Sequence, residues 1–186
     1  GRVMADSSSA AEALSIALPA VADTDRLGRR LAARVQAGDL VALRGELGAG
    51  KTALARALIR AMPAAGGGDA SGEEVPSPTF TLVQVYDRQA ADGTPVPVWH
   101  FDLYRLCEPD EIDELGWEEA LAGAVVLIEW PERLGARLPQ GRLDVTLAFD
   151  TTTGGRQAVL RGGAAWATRL NALAGDVRTP EGGASV

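Results

Sequence analysis

Residues Gly45–Thr52 read G-E-L-G-A-G-K-T, and they contain the one lysine of a 186-residue chain whose other 17 basic positions are all arginine. The stretch fits G-x-x-x-x-G-K-[ST] in full, through Gly45, Gly50, Lys51 and Thr52. Such a loop can cradle phosphates. Its glycines let the backbone turn its N–H groups inward, and a following helix adds its own N-terminal amides. An ammonium on a flexible stem can curl over the loop to the β- and γ-phosphates, a path that arginine's planar fork does not follow. The Thr52 hydroxyl is placed to serve Mg2+.

Magnesium chemistry in such a loop also needs a carboxylate, commonly at the end of a neighbouring apolar strand. Two residues qualify: Glu129 closes V-V-L-I-E, and Asp102 follows V-W-H-F. Strand alternation puts His100, Asp102 and Tyr104 on one face and Trp99, Phe101 and Leu103 on the other. The only histidine thus shares a face with the aspartate, more as a polar neighbour than as a catalyst. In V-P-S-P-T-F-T-L-V, prolines on both sides of Ser77 impose extended backbone and Thr79 opens a strand, where a γ-phosphate-sensing segment could sit. Guanine recognition through N-K-x-D would require a second lysine, so adenine is the expected base.

The elements around these residues follow from periodicity and punctuation. Leu14–Leu18 reads as an edge strand. A secretory leader is the disfavoured reading, because Asp6 and Glu12 occupy the place of a basic n-region and Pro19 interrupts the apolar stretch. Leu27, Leu31 and Val35 then predict an amphipathic helix with Thr24 as N-cap and Gly38 as stop. D-L-V-A-L-R-G is a buried strand leading into the loop, and K-T-A-L-A-R-A-L-I-R-A-M is a strong helix. Pro63–Glu74 reads as a mobile Gly/Ser/acidic loop. Residues 79–87 and 96–106 predict one hairpin, and 142–150 with 156–162 a second. Between them lie an acidic helical stretch with solvated charges (108–121) and the continuous apolar run A-V-V-L-I-E-W of a central strand. A closing helix (164–175) ends the expected domain of residues 10–175, with a flexible lead at 1–9 and a disordered tail at 176–186. The fold class is α/β: a single P-loop domain with a mixed, partly antiparallel sheet flanked by helices.

Composition sets limits. A net charge of −7 argues against a broad nucleic-acid surface, DNA included. Cys107, alone, permits neither an internal disulfide nor a multi-cysteine zinc site and reads as a reduced cytosolic thiol. No apolar run approaches the roughly 20 residues of a membrane span.

Taken together, G-E-L-G-A-G-K-T, S-P-T-F-T-L-V, H-F-D-L-Y-R-L and the apolar run ending E-W-P resemble the TsaE (YjeE) family, over roughly Leu14 to Leu160. The family comprises bacterial ATPases of tRNA threonylcarbamoyladenosine biosynthesis. The resemblance implies ATP phosphate binding by Gly45, Glu46, Leu47, Gly48, Ala49, Gly50, Lys51 and Thr52, continuing to Ala53. It implies magnesium ligation by Thr52 and Glu129 and a catalytic group of Lys51, Asp102, Glu129 and Thr79, with Asp102 close to the γ-phosphate or attacking water. Ser77–Thr79 becomes switch-like, Trp130 and Arg156 lie beside the nucleotide, and Thr24 lies near the base. ATP and Mg2+ are the implied cofactors, and TsaD with TsaB the implied partners. Contact with tRNA is then indirect, and the location cytoplasmic. The lead and the 63–74 loop are longer than the family pattern, and an acidic tail follows the core. Two rivals share the loop: a small-molecule kinase, which should carry an arginine-rich lid, and a nucleotide-sensing module without turnover.

Overall fold

The computed structural model describes residues 12–178. The predicted flexible lead lies outside the described residues, as does the tail beyond residue 178.

Seven strands form one sheet: β1 (Glu12–Leu18), β2 (Leu40–Arg44), β3 (Val83–Gln89), β4 (Pro95–Asp102), β5 (Val125–Glu129), β6 (Leu143–Phe149) and β7 (Arg156–Gly162). Their order across the sheet is β1-β7-β6-β2-β5-β4-β3. β6, β2, β5 and β4 pair parallel, while β1–β7, β6–β7 and β3–β4 pair antiparallel. The mixed sheet and both hairpins expected from the sequence are present, and β1 is an edge strand.

The parallel centre is dictated by composition. L-V-A-L of β2 and V-V-L-I of β5 are buried on both faces, as strands covered by helices on either side must be. Alternate residues go to separate cores. Val41, Leu43, Val125 and Leu127 pack with α1 (Val21–Ala32), α2 (Lys51–Ala61) and α4 (Ala164–Arg178). Leu40, Ala42, Val126 and Ile128 pack instead with Phe101, Ile112 and Trp117 under α3 (Trp117–Leu121). The first face carries the strand-end acids, because Glu129 continues the Val125–Leu127 series and Asp102 the Val96–Val98–His100 series.

Several boundaries differ from the sequence expectation. α1 begins after Ala20, not Thr24: Asp23 accepts the Ala20 amide at 2.9 Å, doing the job of a third-position acid, while Thr24 is buried inside the first turn. The helix stops at Ala32, and Gly38 (φ +90°) belongs to the following loop. β3 starts at Val83 because Pro78–Leu82 curls into a turn, in which Leu82 donates to the Pro78 carbonyl at 2.6 Å with φ +66°. β4 ends at Asp102, where Leu103 turns away. The acidic stretch is two pieces, a 3-10 segment at Pro109–Leu115 and α3, parted by Gly116 at φ +86°. Two of its acids, Asp110 and Asp113, pair with Arg137. A further 3-10 segment, Pro131–Arg137, was not foreseen. α4 runs to Arg178, past the expected boundary at 175, so Asp176 to Arg178 are helical and not tail. Residues 63–75 are tied to the domain by side chains. Arg56 donates to Val75 O (2.7 Å), Arg60 to Glu73 O (2.9 Å), and buried Arg88 pairs with the Glu73 carboxylate (2.7 Å).

Candidate nucleotide site

The loop Gly45–Gly50 leaves β2 and enters α2 between the strand ends of the first face. Two glycines there have no substitute. At Gly45 (φ +144°) a Cβ would stand 2.5 Å from the Leu147 carbonyl of β6, and Gly50 caps α2 in left-handed backbone (φ +105°). No side chain caps α2. The amides of its first turn, which lack intrahelical partners by geometry, are left for a ligand, and the helix dipole there favours an anion.

Lys51 crosses back over its own loop, donating to Gly45 O at 2.5 Å and Glu46 O at 2.8 Å. Its ammonium stands 4.1 Å from the centre of the Trp130 ring. Burial pushes the ammonium below its ordinary pKa, and the negative charge of Glu129, Glu132 and Asp102 opposes that push. Trp130 reaches this position through left-handed backbone (φ +59°), unusual for an aromatic residue and more so before Pro131. Its ring also packs against Tyr104, 5.0 Å between centroids.

The two strand-end acids are neighbours in register, Asp102 opposite Glu129 across β4–β5. Each oxygen of Glu129 has a partner. Thr52 Oγ1 donates to its Oε1 at 2.6 Å, and His100 Nε2 lies 2.8 Å from its Oε2. Asp102 has separate company, accepting from Thr79 Oγ1 at 3.0 Å and from the Tyr104 amide at 3.1 Å, with Ser77 Oγ 2.7 Å from Thr79 Oγ1. The turn at Pro78–Leu82 is what aims Thr79 inward; a strand starting at Thr79 would have alternated it along the sheet edge.

These groups surround one cleft of about 240 Å³. Leu47, Gly48, Gly50, Lys51, Thr52 and Ala53 form its floor, and Thr79, Asp102, Tyr104, Glu129 and Trp130 its walls. Gly45 and Glu46 contribute through the carbonyls that hold Lys51, and Ala49 is buried within the loop. Arg156 stands just outside, donating through Nη2 to Gly48 O at 3.1 Å. Thr24 is buried on α1 and is not among the residues that line the cleft. Sequence reasoning passed over Tyr104 as a lining residue, although its alternation with His100 and Asp102 was the available signal. It also missed that the His100 imidazole bonds to Glu129.

The oxygen chemistry suits a hard cation that brings its own ligands. Among the described residues no group of three or more His, Cys, Asp or Glu side chains could enclose a metal. A hydroxyl and a carboxylate oxygen do sit side by side at Thr52 and Glu129. Mg2+ commonly takes one or two such protein ligands, with water and phosphate oxygens completing its shell.

Comparison with known proteins bears on this site. The family described as "Threonylcarbamoyl adenosine biosynthesis protein TsaE" matches residues 18–158. A tRNA threonylcarbamoyladenosine biosynthesis protein TsaE of Mycobacterium bovis is 43% identical over 136 residues, covering 70% of this chain and 76% of that protein. The protein of the same name from Rickettsia conorii is 41% identical over 127 residues, covering 67% of this chain and 65% of its own. A crystal structure of Bacillus subtilis YdiB superposes with a TM-score of 0.65 at 23% identity, over 92% of this chain and 100% of that one, a likeness of fold.

Proposed function

The chain belongs to the TsaE family, proteins of tRNA threonylcarbamoyladenosine biosynthesis, and from that premise we propose that it is a magnesium-dependent ATPase acting on a TsaD–TsaB complex. The observation that carries the proposal is the joining of a lysine-bearing phosphate loop to a hydroxyl–carboxylate pair, Thr52 and Glu129, in one cleft.

The division of labour follows from the residues. The amides of the Gly45–Gly50 loop and of the first turn of α2 receive phosphate oxygens. Lys51 can exchange its two carbonyl contacts for phosphate, gaining charge-assisted bonds in place of neutral ones. Thr52 and Glu129 would hold Mg2+, which supplies positive charge against the phosphate oxygens when bound. Asp102, held by Thr79 and the Tyr104 amide, would orient a water for attack. Trp130 and Tyr104 wall the cleft, and Arg156 stabilises the loop at Gly48 from outside. Thr24 as a contact to the base is the weakest member of this assignment, since it lies off the cleft lining. Ser77–Thr79, bonded to Asp102 through hydroxyls, has the connections of a segment whose order depends on what the cleft holds. Hydrolysis would then reset the partner complex between rounds of modification, with tRNA handled by the partners. The reaction's setting is the cytoplasm. Among the described residues no helix is long and apolar enough to cross a membrane.

Phosphate release from ATP, measured for the chain alone and with TsaD–TsaB, tests this directly. Strong stimulation by the pair is expected, and both Lys51→Ala and Asp102→Ala should abolish it, a loss of at least about 100-fold for a charge-stabilising group. Fast turnover indifferent to the pair, or phosphate passed to a small molecule, would replace the proposal with a kinase. Full function of Asp102→Ala with nucleotide binding intact would replace it with a sensor.

A further inference from the structure

His100 is fully buried on β4, one step before Asp102 on the same face. It lies opposite Leu127 in register, so Glu129 is its diagonal neighbour across the parallel β4–β5 pair, within reach of a ring but not of a short side chain. Its Nε2 stands 2.8 Å from Glu129 Oε2. Its other nitrogen, Nδ1, is buried with no hydrogen-bond partner among the described residues. Glu129 and His100 therefore meet through one bond, and among the described residues that bond is the only polar contact the imidazole makes.

A buried imidazole is costly unless its polarity is used. Val96 and Val98 precede it on the same face, and an aliphatic residue would continue that packing. The polar group is spent on one carboxylate oxygen. A carboxylate can only accept, so Nε2 carries the hydrogen of this bond and donates it. The bond has a geometric consequence for Glu129. With Oε2 held toward β4 by His100, Oε1 is left facing Thr52, whose hydroxyl it meets at 2.6 Å. Removing the donor would free the carboxylate to rotate and would leave Oε2 buried and unpaired.

We propose that His100 is a positioning residue: through its Nε2–H it fixes the Glu129 carboxylate so that Oε1 and the Thr52 hydroxyl form a ready pair of oxygen ligands for the magnesium of a bound nucleotide. His100 touches neither nucleotide nor metal. It acts through Glu129, as outer-shell partners of metal-binding carboxylates do. The inference rests on the proposed Mg·ATP function of the cleft.

The test measures ATP binding to the full chain by calorimetry across a Mg2+ titration, beside ATP binding in the presence of a chelator. His100→Leu keeps the bulk and removes the donor. His100→Asn stays polar but holds its amide too close to the backbone to reach Glu129. His100→Gln places an N–H near the position of Nε2. For Leu and Asn, the Mg2+ concentration giving half-maximal tight binding should rise about 10- to 100-fold, the usual range for loss of an outer-shell partner. Metal-free ATP binding should stay within about twofold, and Gln should restore most of the Mg2+ dependence. Should His100→Leu fail to fold, the Asn–Gln comparison carries the test alone. An unchanged Mg2+ requirement in the folded variants overturns the inference while leaving the ATPase proposal standing. So does an equal loss of metal-free binding, which would mark a packing role. Native protein whose ATP binding ignores Mg2+ would overturn both.

Discussion

Lys51 is held by opposed forces. Burial disfavours its charge, the nearby Glu129, Glu132 and Asp102 favour it, and two loop carbonyls solvate it. Burial wins, so its pKa in the folded chain lies below the ordinary 10.5 that it recovers on unfolding. Between those two values the unfolded chain binds more protons, so Lys51 makes stability rise with pH across that interval. Nucleotide binding has the opposite sign, because phosphate needs the ammonium. ATP affinity should fall as pH climbs through the depressed value and before 10.5. Calorimetric titrations across the alkaline range check this, and an affinity that stays flat to 10.5 would contradict the assignment. Trp130 makes the same site visible: its strained backbone places the ring over the ammonium, where a cation–π contact is worth roughly 0.5–2 kcal/mol. Trp130→Ala should weaken ATP binding by several-fold, not abolish it, as the loop and Lys51 remain; an effect as large as that of Lys51→Ala would be against it.

Among the elements, α2 matters most because it carries the loop at its start. α1 lies against it so closely that a Cβ on Gly28 would meet the Ala57 Cβ at 2.4 Å and helix backbone at 2.9 Å. Backbone cannot step aside like a side-chain tip, so Gly28→Ala must part the helices. A loss of about 1–3 kcal/mol is expected in urea denaturation. Gly123→Ala, where a Cβ would meet nothing within 4 Å among the described residues, should stay within about 0.5 kcal/mol and serves as the control. Equal effects at both positions would mean the contact is not close in solution. The far end of α2 is braced as well. Arg56 and Arg60 reach Val75 and Glu73, and Arg88 joins Glu73 to the Ile59 carbonyl, so the segment ahead of Ser77–Thr79 is anchored to the helix that holds the phosphate loop.

For the molecule as a whole, charge decides what it touches. Net charge is −7, and several arginines of the described residues are already paired with acids of the chain, as at Arg44–Asp144 and Arg169–Asp39. The chain alone should therefore not retain tRNA in filter binding at about 0.15 M salt. Salt-sensitive binding by the isolated chain would mean a basic surface of its own and would remove the need for partners to hold the RNA.

The sequence by itself determined the loop and the elements that flank it, because that pattern is local. Gly45 to Thr52 are contiguous, the apolar run before them and the alanine-rich run after them set strand and helix, and no distant residue is needed to recognise the loop. It also placed Asp102 and Glu129 at strand ends, since period-two alternation and the length of each apolar run are written in the chain. Tertiary structure decided which acid serves which partner. Glu129 meets Thr52 only because β5 lies beside β2, and it meets His100 only because β4 lies on its other side. Thr79 meets Asp102 because Pro78–Leu82 turns instead of extending, and Thr24 stands inside α1 and not at its cap because Asp23 starts the helix earlier. Contacts between residues far apart in the chain depend on strand order and on competing local bonds, and the energies that choose among those arrangements come from packing that no stretch of sequence contains alone.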